Sequence, residues 1–441
     1  MKYEKKMKNH PSSFILHPLY FILLMTVSPS LLSPQTWPFS LEFLPQSAYM
    51  VGGAVRDALL SRRAEYLDLD FVLPVDALKI ARSLANHYKA GFVVLDKQRQ
   101  IARVVFEGAT VDLAQQEGES IETDLYRRDF TINAIAYNPH TAQFLDPLNG
   151  IADCRAGTIR MVSAKNLEDD PLRLLRGYRQ AAQLGFMIES NTKSAIRQLA
   201  PLLGEVAVER VQVELGYLLK SPQGTPWLIT AVEDNLLQSW FPNVTERDLQ
   251  QIIAVEQAAV IITEYYPNLG LELNTPVTGK SLSLISLVKL TNLLPSVADA
   301  AEELLLRLKY SRAEMRVVLT LIQYLPELLS CITSPMSLRQ QYFFFRNVGS
   351  IFPALVVMAI AEGMTLDGLA FLIERYLNPN DPVAHPTPLV TGNDLMESLN
   401  LPPSPQLGQL LIEIQLAKIE GKINSREDAL DLAAKIIDIN L

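Results

Sequence analysis

Residues 67–71 read LDLDF, and few five-residue stretches leave a chain so little choice. Apolar and acidic residues alternate, which is the period of a strand with one face buried. In a strand, Asp68 and Asp70 share one face while Leu67, Leu69 and Phe71 point into a core. The strand rise sets the two carboxylates ~7 Å apart. Like charges so placed repel unless something positive sits between them. A hard cation such as Mg2+ is held by one or two carboxylates when substrate phosphates complete its shell, so Asp68 and Asp70 are candidate metal ligands and catalytic residues. A solvated strand face explains the pair if it stands alone.

The flanking sequence extends the pattern. AYMVGG predicts a strand, AVRDALLS a helix, and VDALKIARSLANHY an amphipathic helix. GFVVLD, IARVVFEG and TVDLAQ predict three more strands, two of them a hairpin, and RRDFTINAIAYN predicts the start of another helix. Strands mixed with helices point to an α/β head with a mixed sheet over about 46–165. From Leu167 onward helical spacing dominates. The expected order is a neck (166–225), a body (226–380) and, after the proline-rich PNDPVAHPTP, a tail (381–441), all of them α-helical.

Composition bounds the rest. With 441 residues, 49% of them apolar and 20% charged, the chain suits a globular protein of several domains. Its two cysteines, Cys154 and Cys331, exclude a disulfide scaffold and a cysteine-rich zinc site. A reducing compartment, the cytoplasm, is expected. The net charge of −9 argues against a broad nucleic-acid-binding surface but leaves room for a local basic track. None of the five histidines precedes an aspartate, so a His-Asp phosphohydrolase is not expected. Residues 1–45 are read as an extension, either disordered or an over-called start with Met25 the better candidate. Its apolar run is broken by His17 and Pro18 and is too short to span a membrane; no membrane partner is expected.

Three further elements could carry chemistry. Gly52-Gly53 between a strand and a helix suits a phosphate, with Arg56 on the first helical turn. Taken alone, the glycines read better as an ordinary strand–helix turn that relieves crowding. DLYRRDFTINA offers Arg127, Arg128 and Asp129, which fit a phosphate contact and an added acidic group, or a surface cluster at a helix start. In EDDPLRLLRGYR, Arg173, Arg176 and Arg179 fall every third residue and wind as a stripe able to follow a triphosphate and read a base edge. Asp170 before Pro171 also reads as a helix cap. Leu172, Leu175 and Tyr178 are expected in the core.

Together VGGAVRDALL, DLDF, DLYRRDFTINAIA, DPLNGIADCRAGTIRMV and DDPLRLLRGYRQAAQLGF resemble the class II tRNA nucleotidyltransferase and bacterial poly(A) polymerase family. They cover roughly residues 48–186, with weaker likeness in AVERVQVEL and the tail. The resemblance implies a polymerase-β-like head, Mg2+ on Asp68 and Asp70, and Asp129 assisting at the metals or the sugar. It implies nucleotide contacts at Gly52, Gly53, Arg56, Arg128, Asn133, Arg176 and Arg179. Asp170 and Arg173 match the protein template that pairs with C or A. The implied partners are the 3′ acceptor end of tRNA and CTP or ATP, with oligomeric state open.

Two departures from the family pattern matter. Asp169 stands where family members carry Glu before the template Asp. Between VDLA and DLYRRDF lie only QQEGESIET, where enzymes that add the whole CCA triplet have a longer flexible segment. The shorter form resembles the CC-adding subgroup. The expected activity is therefore template-independent addition of C to tRNA. Full CCA or A addition, a poly(A) polymerase and a non-catalytic RNA-binding protein are the alternatives. RNA contacts are looked for in RLKYSRAEMR (307–316), RQQYFFFR (339–346) and KIEGKINSR (418–426).

Overall fold

The computed structural model describes residues 29–62, 66–74, 76–279 and 281–440. The Met25 question and most of the 1–45 expectation lie outside them. The chain forms two compact units. The first holds the residues up to Leu167 together with Met187–Thr192; the second holds Glu168–Phe186 and Lys193–Leu441.

The first unit is built on seven strands: β1 (Tyr49–Val51), β2 (Leu67–Leu73), β3 (Gly91–Asp96), β4 (Ile101–Phe106), β5 (Ala109–Gln115), β6 (Ala136–Asn138) and β7 (Gln143–Leu145). Their order is β3-β4-β5-β2-β1-β6-β7. β2 and β5 run parallel and the other neighbours antiparallel, which makes the sheet mixed, as expected. On one face Met50, Leu69, Phe71, Val111 and Leu113 are buried, and the helix Ala77–Tyr88, capped by Asp76, packs against that side. The other face is apolar only at one end, where Val51 and Val72 meet Ile121 and Leu125 of the helix Ile121–Leu125. The acidic end of β2 is left uncovered by that short helix.

Two expectations are corrected. FTINAIAYN is not a helix: Thr131–Asn133 make a short 3-10 turn and Ala136–Asn138 form β6 between β1 and β7. Phe130 to Ala136 are all buried, and a run with no polar face cannot lie as a surface helix. Residues 29–45 are not a loose extension either. Leu31, Leu32, Trp37, Phe39 and Leu44 are buried. The Trp37 ring stands edge-on to Phe71 at 5.1 Å, so the segment completes the core under β2.

Met187–Ile188 (β9) adds a parallel strand to Thr158–Ile159 (β8), which returns the chain to the first unit. The named elements of the second unit are helices, from Leu172–Leu184 to Arg426–Asn440, with one isolated antiparallel bridge between Pro276 and Ser283. Among the described residues one apolar stretch, Leu338–Ala361, has the length and hydropathy of a membrane span. It is two helices, Leu338–Val348 and Phe352–Ala361, with 67% of its most apolar window buried, as in a core.

Candidate active site

The register carries the expected carboxylates to one surface. Asp68 pairs with Thr110 and Asp70 with Asp112 across β2 and β5. Leu69 and Phe71 are buried on the opposite side. Asp68 is exposed and its Oδ1 accepts the Thr110 hydroxyl at 2.6 Å. Asp112 follows in the same row, and Arg103 of β4 donates to both its oxygens at 2.7 and 2.8 Å.

Asp70 sits deepest. Its carboxyl is pushed up to about 7, first by burial, then by Asp68 and Asp112, while Arg128 and Arg103 pull it down. Gly52 lies directly over it. That residue has φ +73°, a left-handed conformation that suits glycine. A Cβ there would meet Asp70 Oδ2 at 3.0 Å and Arg128 Nη1 at 3.6 Å. The glycine turn is thus a lid thin enough to leave the carboxylate and Arg128 side by side. The helix it opens, Gly53–Leu59, spans only seven residues, so the dipole contribution is small and Arg56 matters more.

Arg56 is held from two sides. Its Nε donates to Asp57 at 2.9 Å and its Nη1 to Asn133 Oδ1 at 2.9 Å. Asn133 in turn donates to Asp129 Oδ1 at 2.9 Å, and Phe130 N donates to the same oxygen at 2.8 Å. Asp129 is buried, so this contact set joins it to Asn133 and Arg56. Arg128 bonds Asp124 at 3.1 Å, while its Nε is buried without a hydrogen-bond acceptor among the described residues. Arg127, half-exposed, pairs with Glu117.

A cation fits this row. Burial first, and the acidic neighbours Asp68 and Asp112 after it, hold the Asp70 carboxyl at about 7; a divalent ion beside it relieves the like-charge part of that shift. Among the described residues no three His, Cys, Asp or Glu side chains are grouped to hold a metal alone, so ligand oxygens must complete the shell.

In the second unit the helix Leu172–Leu184 carries the expected arginines, and Leu172, Leu175 and Tyr178 are buried. Asp170 does not cap it. Pro171 occupies the cap position without a side-chain bond, and the Asp170 carboxylate turns to Arg210 at 3.0 Å, with Arg173 at 4.0 Å. Arg176 and Arg179 converge on the buried Glu214 at 3.4 and 2.6 Å. Tyr178 donates to the buried Asp234 at 2.5 Å, which also takes Arg197 at 2.6 Å.

Asp112, Arg103, Arg210 and Glu214 were not singled out from the sequence. Asp112 had a visible signal, the TVDLA alternation, but its meaning depends on the β2–β5 pairing. Glu214 and Arg210 lie in AVERVQVEL at helical spacing, with no mark of which face they take.

Comparison with known proteins agrees with this fold. Residues 48–160 match the poly A polymerase head domain, 185–247 the probable RNA and SrmB-binding site of polymerase A, and 286–434 a putative domain 2 of tRNA nucleotidyltransferases. The chain is 48% identical to a CC-adding tRNA nucleotidyltransferase of Synechocystis, over 91% of this chain and 96% of that protein. A CC-adding tRNA nucleotidyltransferase of Geobacter sulfurreducens is 31% identical over 88% and 91%. A Thermotoga maritima CCA-adding enzyme complexed with tRNA shares the fold, with a TM-score of 0.66 at 21% identity, covering 88% of this chain and 91% of that one. A mixed-sheet nucleotidyltransferase head followed by helices is the class these features define. The chain belongs to the class II tRNA nucleotidyltransferase and poly(A) polymerase family.

Proposed function

We propose that this protein extends the 3′ end of tRNA with C residues from CTP, releasing pyrophosphate, and stops before the terminal A. The observation that carries nucleotidyl transfer is the carboxylate pair on one strand face beneath a glycine turn, with Arg128 beside it. Asp68 and Asp70 would hold Mg2+, which when bound neutralises phosphate charge and orients the reacting oxygens. Gly52 and Gly53 let phosphates approach the backbone, and Arg56 and Arg128 supply fixed positive charge toward them. Asn133 holds Arg56 in place, and Asp129 acts as a positioning residue through Asn133. In the second unit Asp170 and Arg173 carry an acceptor and donors suited to a base edge, and Arg176 and Arg179, which turn to Glu214, are the further nucleotide-contact candidates.

The C-only reading is supported by the connection after β5. Five residues, 116–120, join the strand to the helix Ile121–Leu125, and they are tied down. Glu117 N donates to Asp124, Glu117 pairs with Arg127, and Ser120 accepts from Thr123 N. At this connection there is no long segment of the kind expected to reshape the pocket from C to A. The two CC-adding relatives support the same reading. A tRNA substrate and two unbridged cysteines are in keeping with a cytoplasmic protein under this reading.

The test offers purified protein a tRNA trimmed of its 3′ CCA, with CTP alone, ATP alone or both. Addition of two C and no A is expected. A complete CCA contradicts the C-only reading, and long A tails indicate a poly(A) polymerase.

A further inference from the structure

The helix Val208–Lys220 buries Val211, Glu214, Leu215, Leu218 and Leu219. Its other side is unusual. Arg210, Val213, Tyr217 and Lys220 follow at steps of three and four, so they share one stripe. Val213 and Tyr217 are 53% and 49% exposed in the middle of it. The Arg179 guanidinium lies 5.9 Å from the Tyr217 ring centroid, a cation–π contact that steadies the ring. At the other end Arg210 bonds Asp170 at 3.0 Å. The exposed ring thus touches Arg179, a nucleotide-contact candidate, and stands on the helix whose Arg210 holds the base-reading candidate Asp170.

We infer that Tyr217, with Val213 beside it, is a stacking platform for an unpaired base of the tRNA acceptor end. An aromatic face among cationic side chains is what single-stranded nucleic acid uses, the charge tracking the backbone and the ring taking a base. The apolar step is two side chains wide. That suits one base and falls far short of the roughly 800 Å² per partner of a stable protein interface. Arg210 and Lys220 flank the two apolar side chains on the stripe, and because Arg210 already bonds Asp170 the ring, rather than an excess of charge, is the feature that takes a base. The helix also lies within the segment that matches an RNA-binding family model. The inference rests on the tRNA-extending reading and adds to it one place where the RNA is gripped.

The test compares Tyr217→Ala, Tyr217→Leu and Tyr217→Phe in the full chain. Affinity for CCA-trimmed tRNA is measured at one fixed salt concentration, with KM for CTP and a melting curve alongside. Loss of the ring should weaken tRNA binding roughly 5- to 100-fold. Leu should fail like Ala because it keeps apolar area without a flat face, whereas Phe should bind like the parent. Unchanged tRNA affinity in Tyr217→Ala overturns the platform. So does a Leu variant that binds normally, or a defect confined to KM for CTP. If the parent protein cannot extend trimmed tRNA, the functional reading fails as well; if it can, these outcomes defeat the platform alone.

Discussion

Asp70 is a carboxyl whose surroundings work against its charge. Burial and two acidic neighbours hold it at about 7, well above its ordinary range, despite two nearby arginines. Part of this was legible in advance. Alternation in LDLDF is local, and it set Asp68 and Asp70 on one face without any tertiary knowledge. Asp112 was not legible, because its place beside Asp70 follows from the parallel pairing of strands separated by a helix and a hairpin. The same limit applies to Cys154, which nothing in its local sequence marks as buried. Burial, above all, pushes its thiol up to about 12, with Asp146, Asp153 and Asp57 adding to the rise and Arg56 opposing it. The thiolate is the reactive form, so at pH 8 only about one Cys154 in 10⁴ is ionised. Maleimide labelling of the folded protein at that pH should modify Cys331 first and reach Cys154 only on unfolding. Rapid labelling of Cys154 in the native state would contradict this burial.

At the level of elements, periodicity served well where a polar face existed. LDLDFVL is β2 over its whole length, and the arginine-bearing helix shows the expected buried side. It failed at FTINAIAYN, where burial on all sides removes the pattern that distinguishes helix from strand. Basic stretches in the helical part were also ambiguous, because charge pairing is a tertiary property. Lys309 pairs with Glu209, Arg339 with Glu413, and Arg426 with Asp394. The helix Val208–Lys220 grips the arginine helix through Glu214, whose side chain is 8% exposed. Removing that carboxylate leaves Arg176 and Arg179 without it in a partly buried setting. Glu214→Ala should cost about 2–3 kcal/mol, less than a fully buried pair because Arg176 keeps contact with water. Denaturant unfolding measures this, and KM for CTP should rise with it. A loss below about 0.5 kcal/mol would mean that the clamp is a surface pair.

For the whole molecule, the compact units divide at Leu167 and Glu168, and helical spacing becomes the dominant pattern of the sequence at about the same place. The return of Met187–Thr192 to the first unit was not readable, because a two-residue strand leaves no period in the sequence. The proposed activity divides labour between the units: the sheet carries out the transfer, and helices such as Val208–Lys220 hold RNA. Asp68→Ala separates the two tasks. In a single-turnover assay with labelled CTP and trimmed tRNA, incorporation should fall by roughly 10³-fold or more, about 4 kcal/mol of barrier, while tRNA affinity stays within about twofold because Asp68 makes no phosphate-neutralising contact. Incorporation near the parent rate would contradict the account at its centre, because the strand-face carboxylates would then not be where nucleotides are joined.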